Sequence, residues 1–154
     1  MLLRGTFRER AVSSARRRCR AFCNVSDRRQ LAGLDIEFRH QAYDWNMPSR
    51  LEAFVGSLVA QGAVIAASSE GGLFEYGSDE AIVSNLKALG TGVPLVVGSV
   101  TRADETRRRL VAGSRFKLIM RGLGVFSPLA AQAGYRVAEA RSTVWSDQVL
   151  LRPA

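Results

Sequence analysis

The feature that most constrains the fold is a regular alternation of short apolar runs with segments of helical periodicity, beginning at residue 33. The segment 50–61 has apolar residues at helical spacing and is followed by Gly62, a residue type common at helix ends. The apolar runs 63–67 and 93–100 are typical of buried strands. Alternation of this kind predicts an α/β fold with a mostly parallel sheet covered by helices.

The last part of the chain is predicted to depart from this alternation. Strands are expected at 135–140 and 148–151, and a polar turn at 142–147 joins them. A connection this short cannot contain a crossover helix. The two strands should therefore close the fold as an antiparallel β-hairpin.

Caps and periodicity predict the remaining elements. Ser78 should cap a helix over 79–89, whose first turn is acidic, as the helix dipole favours. Thr101 should cap a helix over 102–111. The other predicted elements are strands at 34–38 and 116–120 and a helix at 125–133.

Residues 1–32 are predicted to form a basic, arginine-rich arm that is disordered or weakly helical, ahead of a domain spanning 33–154. Residues 1–30 hold nine arginines against two acids, so they carry seven of the eight net positive charges. Three interpretations stay open: a targeting peptide, a nucleic-acid-binding arm, and a chance leader upstream of a truncated domain. The rest of the chain is nearly neutral, so nucleic acid is not the expected partner.

The cysteine and histidine content limits the other functional classes. Cys19 and Cys23 do not form a disulfide framework, and with His40 as the single histidine they do not form a zinc site. We therefore predict no metal and a reducing, cytoplasmic compartment. No window approaches the roughly 20 apolar residues of a membrane span, so no membrane partner is expected.

The stretch "FRHQAYDW" follows the strand predicted at 34–38 and supplies the candidate catalytic residues. His40 could act as a general base, and Asp44 could orient it or hold a cationic acceptor. Tyr43 and Trp45 could bind substrate by stacking on a flat ring. The alternative is that His40 is simply a polar strand end and that Trp45 packs the helix against the sheet.

The stretch "SSEGGLFEYGSDE" follows the apolar run 63–67 and is expected at the ligand-binding edge of the sheet. Glu70 and Tyr76 are candidate substrate-binding residues, and a solvated loop is the equally weighted alternative. The acids Asp79 and Glu80 are better explained as favourable charges in the first helical turn. Trp145, in the closing turn, is expected to cover a sheet edge.

The ending "PLAAQAGYRVAEARSTVWSDQVLLRP" resembles the end of class I S-adenosylmethionine-dependent methyltransferases, where a helix, an "AGY"-type turn and two strands close the fold. The segment "LDIEFRHQAYDWNMPSRLEAFVGSLVAQGAVIAAS" resembles the fourth strand, loop, helix and fifth strand of that family. The resemblance covers about residues 33–154. It implies the C-terminal half of a Rossmann-like methyltransferase sheet, with an extra strand–helix–strand between the fifth strand and the hairpin.

The resemblance implies a transferase that moves a methyl group from S-adenosylmethionine to a small-molecule acceptor. The glycine-rich cofactor loop of the family is absent from residues 1–30, so the residues that bind the cofactor stay unknown. The expectation is a truncated fragment that is inactive alone. The alternative is a non-catalytic module that uses the basic arm on nucleic acid, or that depends on a partner chain for the missing half of the sheet. An exposed sheet edge would then favour self-association.

Overall fold

The computed structural model describes residues 2–6, 42–113 and 117–154. All described helices and strands belong to one compact unit, formed by residues 1–7 and 43–154. The strands are β1 (Leu2–Thr6), β2 (Val64–Ser69), β3 (Leu95–Thr101), β4 (Tyr135–Ser142) and β5 (Ser146–Pro153). The helices are α1 (Pro48–Ala60), α2 (Leu73–Tyr76), α3 (Asp79–Leu89), α4 (Glu105–Ala112) and α5 (Gly122–Gln132), with a 3-10 turn at Gly90–Gly92.

The five strands form one sheet in the order β1-β2-β3-β5-β4. The α/β class and the closing antiparallel hairpin of β4 and β5 are confirmed. Only β2 and β3 are parallel among the described strands, and the other three pairs are antiparallel. The expectation of mostly parallel pairing therefore does not hold for this part of the chain, and the strand predicted at 34–38 lies outside it.

Strand β3 belongs to the segment that the resemblance treated as an extra strand–helix–strand, but it lies in the middle of the sheet. It pairs with β2 on one side and with β5 on the other. The prediction of a strand at 116–120 is wrong for the described residues 117–120, which have no regular structure. The backbone N–H of Ile119 instead donates to the carbonyl of Glu75 at 2.8 Å, which ties this segment to α2.

Residues 2–6 correct the prediction of a disordered or weakly helical arm. They form β1, which pairs antiparallel with β2 from Leu2 opposite Ser68 to Thr6 opposite Val64. Strand β2 is therefore not an edge strand. The other residues of the predicted arm lie outside the described residues.

Two helices, α3 and α4, begin at a side-chain cap, and one of the two caps differs from the prediction. The hydroxyl of Ser78 accepts a hydrogen bond from the backbone N–H of Ala81 at 3.1 Å and caps α3 as predicted. Helix α4 is capped by Asp104, whose carboxylate accepts from the backbone N–H of Arg107, and not by Thr101. The reason is that β3 continues through Thr101, which pairs with Ser146 of β5.

The core lies between the helices and the sheet. The rings of Phe74 and Phe126 meet there with centroids 4.8 Å apart. The buried Tyr135 shares its hydroxyl proton between the carbonyls of Gly90 and Val93, at 2.6 and 3.0 Å, which ties β4 to the connection between α3 and β3. Within the described part of the chain, no helix is long and apolar enough to cross a membrane.

Candidate functional site at the carboxyl edge of the sheet

The carboxyl ends of the two parallel strands meet at one edge of the sheet. Strand β2 ends at Ser69 and β3 at Thr101, while the antiparallel β5 begins there at Ser146. We name the residues 69–72, 99–102 and 143–148 the carboxyl edge. In open α/β sheets this is the edge at which ligands bind.

Glu70 is the exposed carboxylate of the carboxyl edge. When the amide of Gln148 is oriented to satisfy both of its ends, its nitrogen lies 3.1 Å from Oε1 of Glu70 and its oxygen accepts from the Ser146 hydroxyl at 3.0 Å. The same nitrogen lies 3.3 Å from Oε2, so Gln148 contacts both carboxylate oxygens, and the exposure of Glu70 leaves their remaining lone pairs open to a ligand.

The loop after Glu70 is fastened to β3. The backbone N–H of Gly71 donates to the hydroxyl of Ser99 at 3.2 Å, and the Thr101 hydroxyl donates to Oε1 of Glu75 at 3.2 Å. Gly71 has a φ of +59°, a backbone conformation that favours glycine. The carboxylate of Glu70 therefore leaves a loop with a defined path.

Tyr76 is half-buried in the short helix α2, and Asp79 and Glu80 are exposed in the first turn of α3. This placement of Asp79 and Glu80 matches the interpretation that they are favourable charges in the first turn of the helix. Asp79 has a further role, since its Oδ1 accepts from the guanidinium of Arg121 at 2.7 Å. Arg121 is only 4% exposed and also donates to the carbonyls of Phe74 and Gly77.

The other predicted cluster lies just before α1. Tyr43 is half-buried, and its hydroxyl pairs with none of the described residues. Burial and the neighbouring charge of Asp44 raise the pKa of Tyr43 to about 12. Asp44 is exposed and accepts two hydrogen bonds at 2.9 Å from the backbone and side-chain nitrogens of Asn46. His40 lies outside the described residues.

Trp45 packs partly buried against the core, as the alternative interpretation expected. Its carbonyl accepts from Nδ2 of Asn85, a fully buried residue of α3, at 2.7 Å. The structure therefore connects the candidate residues into two groups. One joins Trp45 to α3, and the other joins Glu70 to Gln148 and Ser146.

Sequence reasoning missed three polar residues that hold these groups: Asn85, Arg121 and Gln148. Asn85 and Arg121 each interrupt an apolar face of their segment. A polar residue at such a core position indicates a buried side chain with hydrogen-bond partners, so this pattern could have identified both. Gln148 carried no such signal, because polar residues alternate with apolar ones in any half-exposed strand.

Behind the carboxyl edge lies a cavity of about 10 Å³, lined by Ser69, Phe74 and Asn85 among others. Its volume suits at most one water molecule. Within residues 42–113 and 117–154, no cluster of three or more histidine, cysteine or acidic side chains is placed to hold a metal ion.

Alkaline pH offers a first test of the packing at the end of the sheet opposite the carboxyl edge. Burial raises the pKa of Tyr135 from 10.0 to about 12. Its contribution to folding is complete below pH 10, where both states are protonated, and is lost as pH rises from 10 to 12. We expect the free energy of unfolding in urea to fall by about 1 kcal/mol from this residue between pH 9 and 11. In the Tyr135→Phe variant this decrease in the free energy of unfolding should be absent. An unchanged decrease between pH 9 and 11 would contradict the prediction.

Of the comparisons with known proteins, only the one with solved structures finds a similarity. No family model and no curated protein matches the chain. One similar structure is an O-methyltransferase (NcsB1) from neocarzinostatin biosynthesis, in complex with S-adenosylmethionine and 2-hydroxy-5-methyl naphthoic acid. It is 23% identical over 58% of this chain and 28% of that chain, with a TM-score of 0.45.

A second structure of that enzyme, with S-adenosyl-L-homocysteine and 1,4-dihydroxy-2-naphthoic acid, is 22% identical with a TM-score of 0.44. It is matched over 58% of this chain and 29% of its own length. The matched part is thus less than a third of that enzyme. Likeness at this level concerns the arrangement of helices and strands and not the chemistry of the site.

Proposed function

We propose that this chain is the acceptor-binding part of an S-adenosylmethionine-dependent methyltransferase-like protein that acts on a small molecule. The observation that carries the proposal is the exposed Glu70, which follows the parallel strand β2 and is braced by Gln148 of the closing hairpin. The antiparallel closing hairpin agrees with the methyltransferase-like ending read from the sequence. Together they support an open site for a polar acceptor beside a Rossmann-like sheet.

The carboxyl edge does not fit a whole cofactor. The N–H of Gly71, in the glycine pair after β2, is already bonded to Ser99. The cavity behind that loop is about 10 Å³, far too small for a nucleoside. We therefore derive no step through the cofactor and infer that its binding groups come from another segment or chain.

The side chains of this chain would bind and orient the acceptor. Methyl transfer depends mainly on in-line positioning of a nucleophile, with modest help from acids and bases. In our proposal Glu70 accepts a hydrogen bond from the acceptor hydroxyl or amine. The role of His40 as general base, with Asp44 as its orienting group, stays a prediction from the sequence.

The aromatic candidates complete the proposed site. Tyr43 stays protonated well above neutral pH, because its pKa is about 12, so its proposed part is to stack on the acceptor and not to act as a base. Trp45 and Tyr76 are the other aromatic candidates, and their part in binding the acceptor stays a prediction from the sequence.

Complementation tests this function. The chain is mixed with a separately expressed cofactor-binding half of a class I methyltransferase, and label transfer from S-[methyl-³H]adenosylmethionine to small phenols and amines is measured. We expect transfer with both parts and none with this chain alone. His40→Gln should lower kcat by about 100- to 10,000-fold, the range of a general base, while leaving the thermal transition unchanged.

Two results would count against the proposal. Turnover of His40→Gln within a factor of about three of the parent, far below the general-base range, with an unchanged pH profile, would remove the base role. Micromolar or tighter binding of S-adenosylmethionine to the chain alone, measured by calorimetry, would show that the chain has its own cofactor site. Arg109→Gln is the control, because Arg109 is exposed on α4 in an ion pair with Glu105 and should leave turnover unchanged.

A further inference from the structure

The turn between β4 and β5 presents an exposed tryptophan at the carboxyl edge. Trp145 is 61% exposed and Val144 is 66% exposed. The expectation that Trp145 covers a sheet edge is therefore wrong. An indole at the ligand-binding edge offers a large flat surface for contact with another molecule.

The backbone of this turn is fixed from both sides. The hydroxyl of Thr143 donates to the carbonyl of Ser146 at 2.7 Å and accepts from the backbone N–H of Ser146 at 3.1 Å. Arg102, just after β3, donates from its backbone to the Trp145 carbonyl and from its guanidinium to the Thr143 carbonyl, at 3.4 and 3.1 Å. A ligand would therefore meet an indole with little main-chain freedom left to lose.

A cation lies over the indole ring. The guanidinium carbon of Arg107 is 5.7 Å from the Trp145 ring centroid. Arg107 is held in turn by Asp104, with nitrogen and oxygen 3.2 Å apart. Desolvation works to raise the pKa of Asp104, but the hydrogen bond from the Arg107 backbone and the charges of Arg107 and Arg102 hold it below its usual value. Asp104 therefore stays ionised and Arg107 stays in place.

The cation determines which kind of ring suits the indole. A guanidinium on one side of the ring draws π-electron density toward itself. The high exposure of Trp145 leaves the opposite face open, and that face is correspondingly poorer in electrons. An electron-rich ring, such as one with a hydroxyl or amino substituent, is the favoured stacking partner.

We propose that the open face of Trp145 is a stacking site for a flat aromatic ring that carries a hydroxyl or amino group. The assignment of this ring as the methyl acceptor rests on the proposed function above. Ser146 and Gln148 connect the turn to Glu70, whose carboxylate can accept a hydrogen bond from the substituent. The site thus combines a ring platform with a hydrogen-bond acceptor on the same edge.

Binding of a matched pair of probes to the full chain tests this site. The probes are 4-ethylphenol, which is flat, and 4-ethylcyclohexanol, which has the same substituents on a saturated ring. The indole N–H signals in ¹⁵N spectra report binding, and Trp45→Phe assigns them, since the chain has two tryptophans. We expect a saturable, millimolar shift of the Trp145 signal with 4-ethylphenol, and at least about fivefold weaker binding of 4-ethylcyclohexanol.

Variants locate the site. Trp145→Ala should weaken 4-ethylphenol binding by about fivefold or more, Trp145→Phe should weaken it less, and the control Val144→Ala should change it by less than twofold. Equal binding of the two probes, or full binding by Trp145→Ala, would overturn the stacking site. So would a Trp145 signal that shifts with protein concentration alone, because that result would indicate self-association at this turn. These titrations contain no cofactor, so their failure leaves the methyl-transfer test unaffected, and the reverse also holds.

Discussion

Replacing Arg121 with methionine is expected to destabilise the protein by about 3 kcal/mol, chiefly through buried carbonyls that lose their donor. The guanidinium is 4% exposed and bonds to Asp79 and to the carbonyls of Phe74 and Gly77. Methionine keeps the volume of the side chain but leaves two backbone carbonyls without a donor and Asp79 without its partner. Urea unfolding followed by circular dichroism measures the loss directly.

A second arginine provides the control for Arg121. Arg109 forms an exposed ion pair with Glu105 one helical turn away, with side chains 80% and 66% exposed. Because water screens such a pair, Arg109→Met should cost less than about 0.5 kcal/mol. Similar losses in both variants would mean that the buried contacts of Arg121 do not stabilise the loop between α2 and α3.

Gly98→Ala is expected to destabilise the protein by about 3 kcal/mol through overpacking. A Cβ atom at Gly98 would lie 2.6 Å from two ring carbons of Phe74 and 3.0 Å from the carbonyl oxygen of Ser69. Phe74 is 1% exposed and packs against Phe126, so its ring has little room to move. The change should also displace the end of β2, directly before Glu70.

The matched control for Gly98 has the opposite expected sign. Gly56 lies on the exposed side of α1, and a Cβ atom there would meet nothing within 4 Å. Gly56→Ala should therefore stabilise the protein by up to about 1 kcal/mol, through helix propensity alone. Thermal unfolding of the two variants, side by side with the parent, gives the comparison. A stable Gly98→Ala protein would show that Phe74 is loosely packed.

Local signals predicted the elements whose formation depends on residues close in sequence. The helix at 50–61 appears as α1 (Pro48–Ala60), and the cap of α3 at Ser78 is as expected. The prediction that Thr101 caps a helix was wrong because β3 ends at residue 101 and not at residue 100. Thr101 pairs with Ser146 in the sheet, and this pairing competes with helix capping. The apolar segment at 116–120 resembled a strand, but its described residues are held by α2 and not by the sheet.

The candidate site was predictable only in part. The sequence indicated that a polar loop follows β2, and Glu70 does lie exposed at the end of that strand. Its support by Gln148 joins residues 78 positions apart, and the contact of Asn85 with Trp45 joins residues 40 positions apart. Such pairings depend on strand order and register, for which no local pattern exists.

The sequence by itself determined the α/β class, the closing hairpin and the positions of most helices, because periodicity and capping are properties of neighbouring residues. Only the tertiary structure decided that β1 lies beside β2, that β3 is central, and that Trp145 is exposed with Arg107 over its ring. The physical reason is that these features are contacts between distant segments. Their free energies depend on which surfaces the folded chain brings together, and not on the identity of the residues alone.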